Sequence, residues 1–479
     1  MSGVLLESLK AWWPETILSV GALAVVLLGA WKRSRQPASA VAWLTLIASA
    51  IALRAAPVPP TESPFFGLII CDPFSLAFRW ITLWTLTIVL LLAVSSRELE
   101  PSAHGECLGL VLFIGVGLML MAEARHLLMA YVAMELVSLS SYVLVGFLHD
   151  QRSAEASLKY LLFGALSSGI MLFGMSLLFG ITGALAFPDI LRAVTGLSGP
   201  MAGALLTAIA LLLAGLAFKI SMVPFHMWTP DAYEGAPIAV TALLSVGPKA
   251  AGLALLLRIT ETLRPAWPSL APVVLALTIV TMTLGNLVAL VQTNVKRLLA
   301  YSTIGQAGYL LIGFSVDTPL GHEGLLLYLV AYLFMNLGAF ACVVAVVNDT
   351  GSESLDAFRG LSKRSPALAL SAALFLLSLA GIPPLLGFFG KFLLFGSALE
   401  AGRPVLAIAG VVNSAIALYY YVNLIRLMYF VPPEHAGPLR PAPLLRLALG
   451  VCAAATLLLG LCPAPLLRLI AAHVSVNLL

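Results

Sequence analysis

Four ionisable side chains lie inside long apolar segments of this sequence. They are the carboxylate of Glu135 and the amines of Lys219, Lys249 and Lys391. A charged group at the centre of a membrane-spanning helix costs about 2.5–3.5 kcal/mol, so such groups are kept mainly where they pair or line a hydrated path. Burial also disfavours the charged form of an amine, which lets a lysine take up and release a proton. The pattern predicts a proton relay, and interhelical ion pairs that only hold a helix bundle together are the structural alternative.

Prolines interrupt two of the segments that carry these lysines. Pro224 follows Lys219, and the pair Pro383 and Pro384 precedes Lys391. Proline frees a backbone carbonyl, and non-helical backbone at membrane depth is tolerated only where protein surrounds it or where it lines a water-filled cavity. Two such interruptions are typical of transporters built from repeated units. The sequence therefore predicts two broken helices, each beside a buried lysine, with a polar cavity around Lys391.

Lesser candidates surround the first interruption. Lys159 and His226 are possible relay or linking groups, although Lys159 stands near a helix start, where its long side chain could reach the headgroups. Hydroxyl groups could support a chain of water molecules, but each is expected to bond instead to the backbone of its own helix. The hydroxyl residues concerned are Ser138, Ser140, Ser167, Ser168 and Thr241.

The composition excludes a water-soluble protein. Hydrophobic residues make up 61% of the 479 residues and charged residues only 10%, which is too little polar surface for a soluble domain. Apolar runs of about 20 residues recur, and each can cross a hydrocarbon layer about 30 Å thick as a helix. We predict an all-α polytopic membrane protein whose seventh and twelfth helices are broken. About fourteen spans are expected, at 15–31, 38–56, 73–95, 105–121, 126–147, 154–181, 201–221, 236–258, 270–292, 297–315, 323–347, 367–399, 405–430 and 444–470.

The predicted spans divide into four parts. Residues 1–104 hold the first three helices, 105–260 a first half-channel unit of five helices, 261–430 a second such unit, and 431–479 a C-terminal helix. Lysine and arginine are more frequent in the alternate loops that include Arg33. This bias places those loops in the cytoplasm and both termini in the periplasm.

The cysteines and histidines form no metal-ligand pattern. The five cysteines and seven histidines are scattered along the chain, without a CxxC pair or a histidine at ligand spacing. We predict no metal site here, and any redox chemistry would have to be done by another chain.

Several motifs in residues 123–430 resemble the proton-channel module of the antiporter-like subunits of respiratory complex I. They are Met134 to Phe147, Ser157 to Leu161, Phe218 to His226, Trp228 to Pro237, Pro248 to Ala250, Asn294 to Ser302, Gly381 to Pro384 and Gly390 to Phe392. The Tyr233-Glu234-Gly235-Ala236-Pro237 run is most similar to the subunit N branch of bacterial NADH:quinone oxidoreductase.

This resemblance implies a proton-translocating membrane subunit of a translocase in the bacterial inner (plasma) membrane. Glu135 would modulate the proton affinity of Lys219. Lys249 would pass protons along the membrane plane, and Lys391 would be the terminal group. Electron transfer from NADH to quinone would occur in other subunits.

The resemblance also implies cofactors and partners outside this chain. NADH, FMN, iron–sulfur clusters and quinone would be bound by partner subunits, with none held here. The expected neighbours are the antiporter-like subunit M, the small subunits J and K, and the lipid bilayer, with no nucleic acid. The alternative is a subunit of a multisubunit cation/proton antiporter or a membrane-bound hydrogenase, which use the same module. A stand-alone solute transporter and a structural scaffold are more distant classes.

Overall fold

A computed structural model describes residues 8–32, 35–55, 64–197, 199–434 and 437–474, and these are folded almost entirely as helices. Within those ranges only three isolated β-bridges occur, and no strand is formed. The first helices are α1 (Trp13–Lys32), α2 (Arg35–Ala55), α3 (Pro73–Ser95), α4 (His104–Glu123), α5 (Leu127–Val145), α6 (Gln151–Thr182), α7 (Phe187–Val194), α8 (Pro200–Ile220), α9 (Trp228–Gly235) and α10 (Ile238–Thr262).

The remaining helices complete the bundle. They are α11 (Trp267–Ala289), α12 (Val295–Val316), α13 (Pro319–Thr350), α14 (Pro366–Ala380), α15 (Leu386–Glu400), α16 (Pro404–Phe430), α17 (Pro443–Leu461) and α18 (Ala464–Val474). Single helical turns lie at Pro64–Gly67, Arg264–Ala266, Leu355–Phe358 and Leu361–Arg364.

Twelve helices in the described part are long and apolar enough to cross a membrane, and α14 is a shorter apolar helix. Each predicted span contains at least one helix, so the all-α membrane fold is confirmed. The last prediction, 444–470, is wrong at one point, because the helix stops at Leu461 and a new one starts at Ala464. Pro463 lies between them and cannot continue a helical hydrogen-bond pattern. Arg33 and both chain ends, on which the predicted orientation depends, lie outside the described residues.

Burial varies strongly between helices. Nearly every residue of α10 and most residues of α13 are buried, whereas α1, α2, α11 and α17 expose a large part of their apolar surface. A helix that is apolar all round belongs in the interior of a large bundle. The two central helices therefore form the core on which the other helices pack, and α10 carries Lys249 at its middle.

The two predicted breaks are both present and begin with the same cap. At the end of α8, Ser221 has a positive φ of 62° and the Met222 N–H donates to the Ala217 carbonyl (2.8 Å). At the end of α14, Gly381 has a φ of 92° and the Ile382 N–H donates to the Leu377 carbonyl (3.0 Å). This six-to-one bond is the Schellman arrangement that ends many helices.

Each cap is followed by a cis X-Pro bond. The bonds are Val223–Pro224 after α8 and Pro383–Pro384 after α14. The chain then resumes as the short helix α9 after the first break and as α15 after the second. The seventh and twelfth spans are therefore broken in the same way.

Candidate functional site

Lys219 lies in the last turn of α8 and is almost completely buried, with 1% of its surface exposed. Its Nζ donates to the Ser138 Oγ on α5 (3.0 Å), and that hydroxyl in turn donates to the Met134 carbonyl (2.8 Å). Ser138 therefore links the buried amine to α5, where it stands one turn after Glu135.

Glu135 is only partly buried, and it accepts a hydrogen bond from Ser168 on α6. Among the described residues, no ion pair joins Glu135 to Lys219; each instead contacts a different serine. The Lys219 amine therefore contacts α5 one turn away from Glu135, but it does not contact the Glu135 carboxylate. Their mutual attraction is weaker here than the roughly 4 kcal/mol of a pair at 4 Å and an effective dielectric of 20.

Two features depart from what the sequence suggested. Glu15 and Glu123, which were not singled out, are fully buried on either side of Arg79, at 2.5 and 2.8 Å. They were overlooked because they stand at the ends of their helices. The Ser168 hydroxyl also departs from the expected backbone bond, since it donates to Glu135.

Other hydroxyls behave as expected. Ser167 donates to the Phe163 carbonyl one turn earlier (2.8 Å), and Thr241 bonds to the Tyr233 and Pro237 carbonyls (2.9 and 3.2 Å). These bonds leave the two hydroxyls occupied by backbone.

Lys249 sits at the centre of α10, with 1% of its surface exposed. Its Nζ donates to the Tyr233 phenol oxygen (2.8 Å) and lies 5.3 and 5.7 Å from the ring centres of Tyr233 and Trp228. Both aromatic residues belong to α9, so the short helix after the first break forms the wall beside Lys249. A charged amine is stabilised over such rings. Sequence reasoning used this stretch only as a family motif and missed Tyr233 as a contact.

Lys391 lies in the second turn of α15 and is 3% exposed. Its Nζ donates to the carbonyls of Leu379 and Ala380 (3.0 and 3.1 Å) and to the Ser414 Oγ (3.2 Å). It also lies 4.1 Å from the centre of the Tyr309 ring. The two carbonyls end α14 and have no helical partner, and they carry the negative end of that helix dipole. The polar surroundings predicted for Lys391 are therefore supplied by the break itself.

Neutral polar residues form hydrogen bonds close to Lys391 and close to Lys249. Gln306 on α12 donates to the Leu379 carbonyl (3.2 Å), which it shares with Lys391, and to the Tyr421 hydroxyl (3.1 Å). The Tyr421 hydroxyl is 2.5 Å from the Ser302 Oγ. Nearer to α10, the amide of Asn336 donates to the Ser245 Oγ, one turn before Lys249 (2.6 Å). No charge marks these residues in the sequence, which is why they were not predicted.

The two lesser candidates form no hydrogen bond to these amines in the described structure. Lys159 is 43% exposed and pairs with Glu155 (2.8 Å) and Asp231 (3.0 Å). His226 is partly buried in the first break, and its Nδ1 accepts or donates no hydrogen bond within the described structure. The structure thus brings Glu135, Lys219 and Ser138 together and leaves these two aside.

A surface ion network ties the two halves together at one end of the bundle. We use this name for Arg152, Lys159, Asp231, Glu234, Lys296, Arg297 and Glu353. Arg297 contacts Asp231 (2.9 Å) and Glu234 (2.6 Å), while Arg152 contacts Glu234 (2.9 Å) and Glu353 (2.7 Å). Burial raises the pKa of Asp231, but hydrogen bonds from Lys159 and Arg297 outweigh it and leave that pKa below the usual range.

Among the residues that the structure describes, no group of three or more His, Cys, Asp or Glu side chains could hold a metal ion. The buried groups above are instead amines, phenols, amides and hydroxyls. Such groups exchange protons and hydrogen bonds.

Comparison with known proteins places this arrangement in a family. Residues 124–417 match the family described as NADH:quinone oxidoreductase/Mrp antiporter, TM. NADH-quinone oxidoreductase subunit N 2 of Sorangium cellulosum is 43% identical over 98% of this chain and 97% of its own length. A chain of respiratory complex I from Thermus thermophilus is 33% identical over 96% of this chain and 99% of its own, with a TM-score of 0.81.

A solved structure of a different complex shares the fold. A chain of the Mrp complex from Dietzia has a TM-score of 0.84, covers 98% of this chain and 97% of its own, and is 24% identical. The resemblance inferred from the motifs is confirmed by the sequence relatives. This polytopic membrane protein belongs to the NADH:quinone oxidoreductase/Mrp antiporter transmembrane family, and its relatives of high identity include subunit N chains.

Proposed function

We propose that this chain is the proton-translocating subunit N of a bacterial NADH:quinone oxidoreductase. One observation carries the proposal: three lysines, Lys219, Lys249 and Lys391, are buried to 97% or more and hydrogen-bond to neutral acceptors rather than to carboxylates. A buried cation that only anchored a bundle would be expected to pair with a buried acid, as the guanidinium of Arg79 does. Amines held by neutral acceptors can lose a proton without stranding a carboxylate.

The first step of the relay would be set by Glu135. When this side chain leaves Ser168 and approaches Lys219, the attraction between opposite charges increases and the amine holds its proton more tightly. When Glu135 returns to Ser168, the electrostatic stabilisation of the charged Lys219 amine decreases, and the amine releases its proton to the next group of the relay. Because Glu135 is partly exposed on α5, a neighbouring subunit could drive this movement.

The later steps would follow the buried polar groups already described. The proton would pass to Lys249, whose amine contacts the Tyr233 phenol, and then toward Lys391 through Gln306 and its neighbours. Direct hydrogen bonds do not connect all of these groups, so water molecules would complete the path. Lys391 would be the group that releases the proton.

The chain would be organised and placed as follows. Residues 1–104 would form an N-terminal unit, 105–260 and 261–430 the two half-channel units, and 431–479 the C-terminal part. The matching caps of the two breaks support a repeated unit.

The protein would lie in the bacterial inner membrane with both termini in the periplasm, beside subunit M and the small subunits J and K. NADH, FMN, iron–sulfur clusters and quinone would be held by partner subunits.

A purification and pumping experiment tests this function. The chain is purified with its natural partners, reconstituted in vesicles and supplied with NADH and quinone while proton uptake is measured. We expect NADH dehydrogenase subunits to accompany it and Lys219→Ala to abolish uptake, while exposed Lys363→Ala serves as the matched control. Normal uptake in Lys219→Ala, or the absence of dehydrogenase subunits, would contradict the proposal.

A cation/proton antiporter subunit is the second candidate, because the fold also matches a chain of the Mrp complex. At 24% identity this likeness concerns the fold alone. Sodium-dependent transport that needs no NADH, together with antiporter subunits in the purified complex, would favour it.

A further inference from the structure

An apolar groove of about 550 Å³ lies on the outside of the bundle, away from the buried lysines. We call it the leaflet groove. Its walls come from α3, α13, α17 and α18, and its apolar lining includes Trp80, Trp84, Leu333, Phe334 and Leu469. Arg54, in the last turn of α2, is the single charged residue among the lining residues.

The leaflet groove reaches about half-way through a membrane. Trp84 lies about 17 Å from the start of α3 at Pro73, and Phe334 about 22 Å from the start of α13 at Pro319, at 1.5 Å per residue. Leu459 lies near the end of α17. The lining residues therefore share one end of the bundle and descend to roughly the middle of a hydrocarbon layer about 30 Å thick. A crossing protein helix would need a groove twice as deep, whereas one lipid leaflet fits this depth.

Arg54 provides a charge at the shallow end of the groove. It is exposed and forms no ion pair with any described residue. A second apolar groove of about 570 Å³ meets the first here, and Arg54 and Trp80 line both. A guanidinium group binds a phosphate through two parallel hydrogen bonds. Two apolar grooves that share one arginine match a phosphate with two acyl chains.

We propose that the leaflet groove and its neighbour bind one phospholipid. Its phosphate contacts Arg54, and its two acyl chains lie on either side of Trp80. This site is separate from the proton relay and does not depend on the proposed function of the chain.

Counting the lipids that remain bound tests the proposal. The chain is purified in detergent with its partner subunits and stripped of loosely held lipid. Phosphatidylglycerol is then added back while native mass spectrometry records bound lipid. We expect wild type to hold one phospholipid that Arg54→Ala loses. Ala77→Trp, which places a large ring in the groove, should lose it as well.

Matched variants elsewhere separate this site from general lipid coating. Arg403→Ala removes an exposed arginine at the start of α16, and Val411→Trp adds a ring to an exposed apolar face of the same helix. Both should retain the lipid. Equal lipid counts in all five proteins, or equal loss in the controls, would overturn the proposal. So would a cross-link from Trp84→Cys to a partner subunit, which would show protein in the groove.

Discussion

At the first break Lys219 precedes the interruption and reaches a serine on another helix, whereas at the second break Lys391 follows the interruption and reaches the carbonyls that the break exposes. The caps of α8 and α14 are alike, so the difference lies in where each lysine stands. The Lys219 amine is hydrogen-bonded to a side chain of α5, and side chains can rotate. The Lys391 amine is hydrogen-bonded to backbone carbonyls, whose positions are fixed because they belong to the last turn of α14.

This contrast suggests a division of labour between the halves. A carboxylate within reach of the first amine can change its charge support by moving, because Coulomb energy varies with distance. Carbonyl dipoles at the end of α14 give the second amine a constant environment. The first half would therefore respond to a signal, and the second would hold a proton until it is released.

The largest expected effect is at Lys219. Lys219→Ala should lower proton uptake about a hundredfold or more, the range typical of a positioned proton-transfer group. Lys219→Arg should fail to rescue, since guanidinium stays protonated and cannot relay. Uptake by reconstituted vesicles measures both variants, with Lys363→Arg as a control for the exchange itself. Full uptake in Lys219→Arg would mean that a fixed charge is enough at the first break.

The next effect separates the two breaks by stability. Lys391→Met should abolish pumping and also leave the Ala380 carbonyl unpaired, at a cost of about 1–3 kcal/mol for a buried unpaired group, while the Leu379 carbonyl keeps its bond from Gln306. Lys219→Met leaves no group unpaired, because the Ser138 hydroxyl keeps its bond to the Met134 carbonyl. We therefore expect a larger fall in the thermal stability of the purified complex for Lys391→Met. Equal falls would show that the carbonyl contacts do not distinguish the breaks.

A smaller effect is expected from removing the movable charge. Glu135→Gln can still accept from Ser168 but gives Lys219 no charge support, so pumping should fall about tenfold, equivalent to roughly 1.4 kcal/mol. Assembly should be unchanged. Glu400→Gln, an exposed change at the end of α15, is the control in the same uptake assay. Unaltered pumping in Glu135→Gln would remove the first half's proposed responsiveness.

Tyr233→Phe should have a modest effect on the same assay. It keeps the ring beside Lys249 but removes the hydroxyl that accepts from its amine, a bond worth about 1 kcal/mol. Pumping should drop severalfold. Tyr419→Phe removes an exposed hydroxyl and should leave the rate as it is; a similar drop in both variants would deny Tyr233 a specific role.

The smallest effect concerns pH and the surface ion network. Because the pKa of Asp231 lies below its usual range, its contribution to stability is present above the ordinary aspartate value of about 3.9 and is lost only as pH falls through the lower, folded-state value. Asp231→Asn should therefore lower complex stability by the same small amount at pH 5 and pH 8. A difference that disappears at pH 5 would show that Asp231 titrates higher than its contacts indicate.

Much of the fold could be predicted from sequence because its signals are local. Long apolar runs mark the helices, and Pro224 and Pro383 mark the breaks at their correct places. The end of the last span was missed because Pro463 was read as part of an apolar run. The buried acids Glu15 and Glu123 were missed because position in a helix does not reveal what packs around its end.

The burial of the three lysines could be predicted from sequence, whereas their hydrogen-bond partners could not. A lysine in an apolar segment is rare enough to stand out, whereas tyrosine and glutamine are ordinary residues. The bond between Gln306 and Tyr421 joins α12 to α16 across 115 positions of the chain, and only tertiary packing brings them together. The same holds for Ser168, whose partner lies on a neighbouring helix.

The surface ion network has a mechanical consequence. Arg297 on α12 forms ion pairs with Asp231 and Glu234 on α9. The neighbouring Lys296 donates a hydrogen bond to the Ala236 carbonyl just before α10 (2.7 Å). The short helix α9 thus contacts the second half through its acidic side chains, and it contacts Lys249 through the Tyr233 phenol. A tilt of α9 would therefore move the Tyr233 phenol away from the Lys249 amine. The same tilt would displace α12 through the ion pairs of Arg297. High salt should weaken these ion pairs only in part, since their side chains are partly buried and therefore less screened than exposed pairs, and the two halves would then move with slightly less mutual constraint.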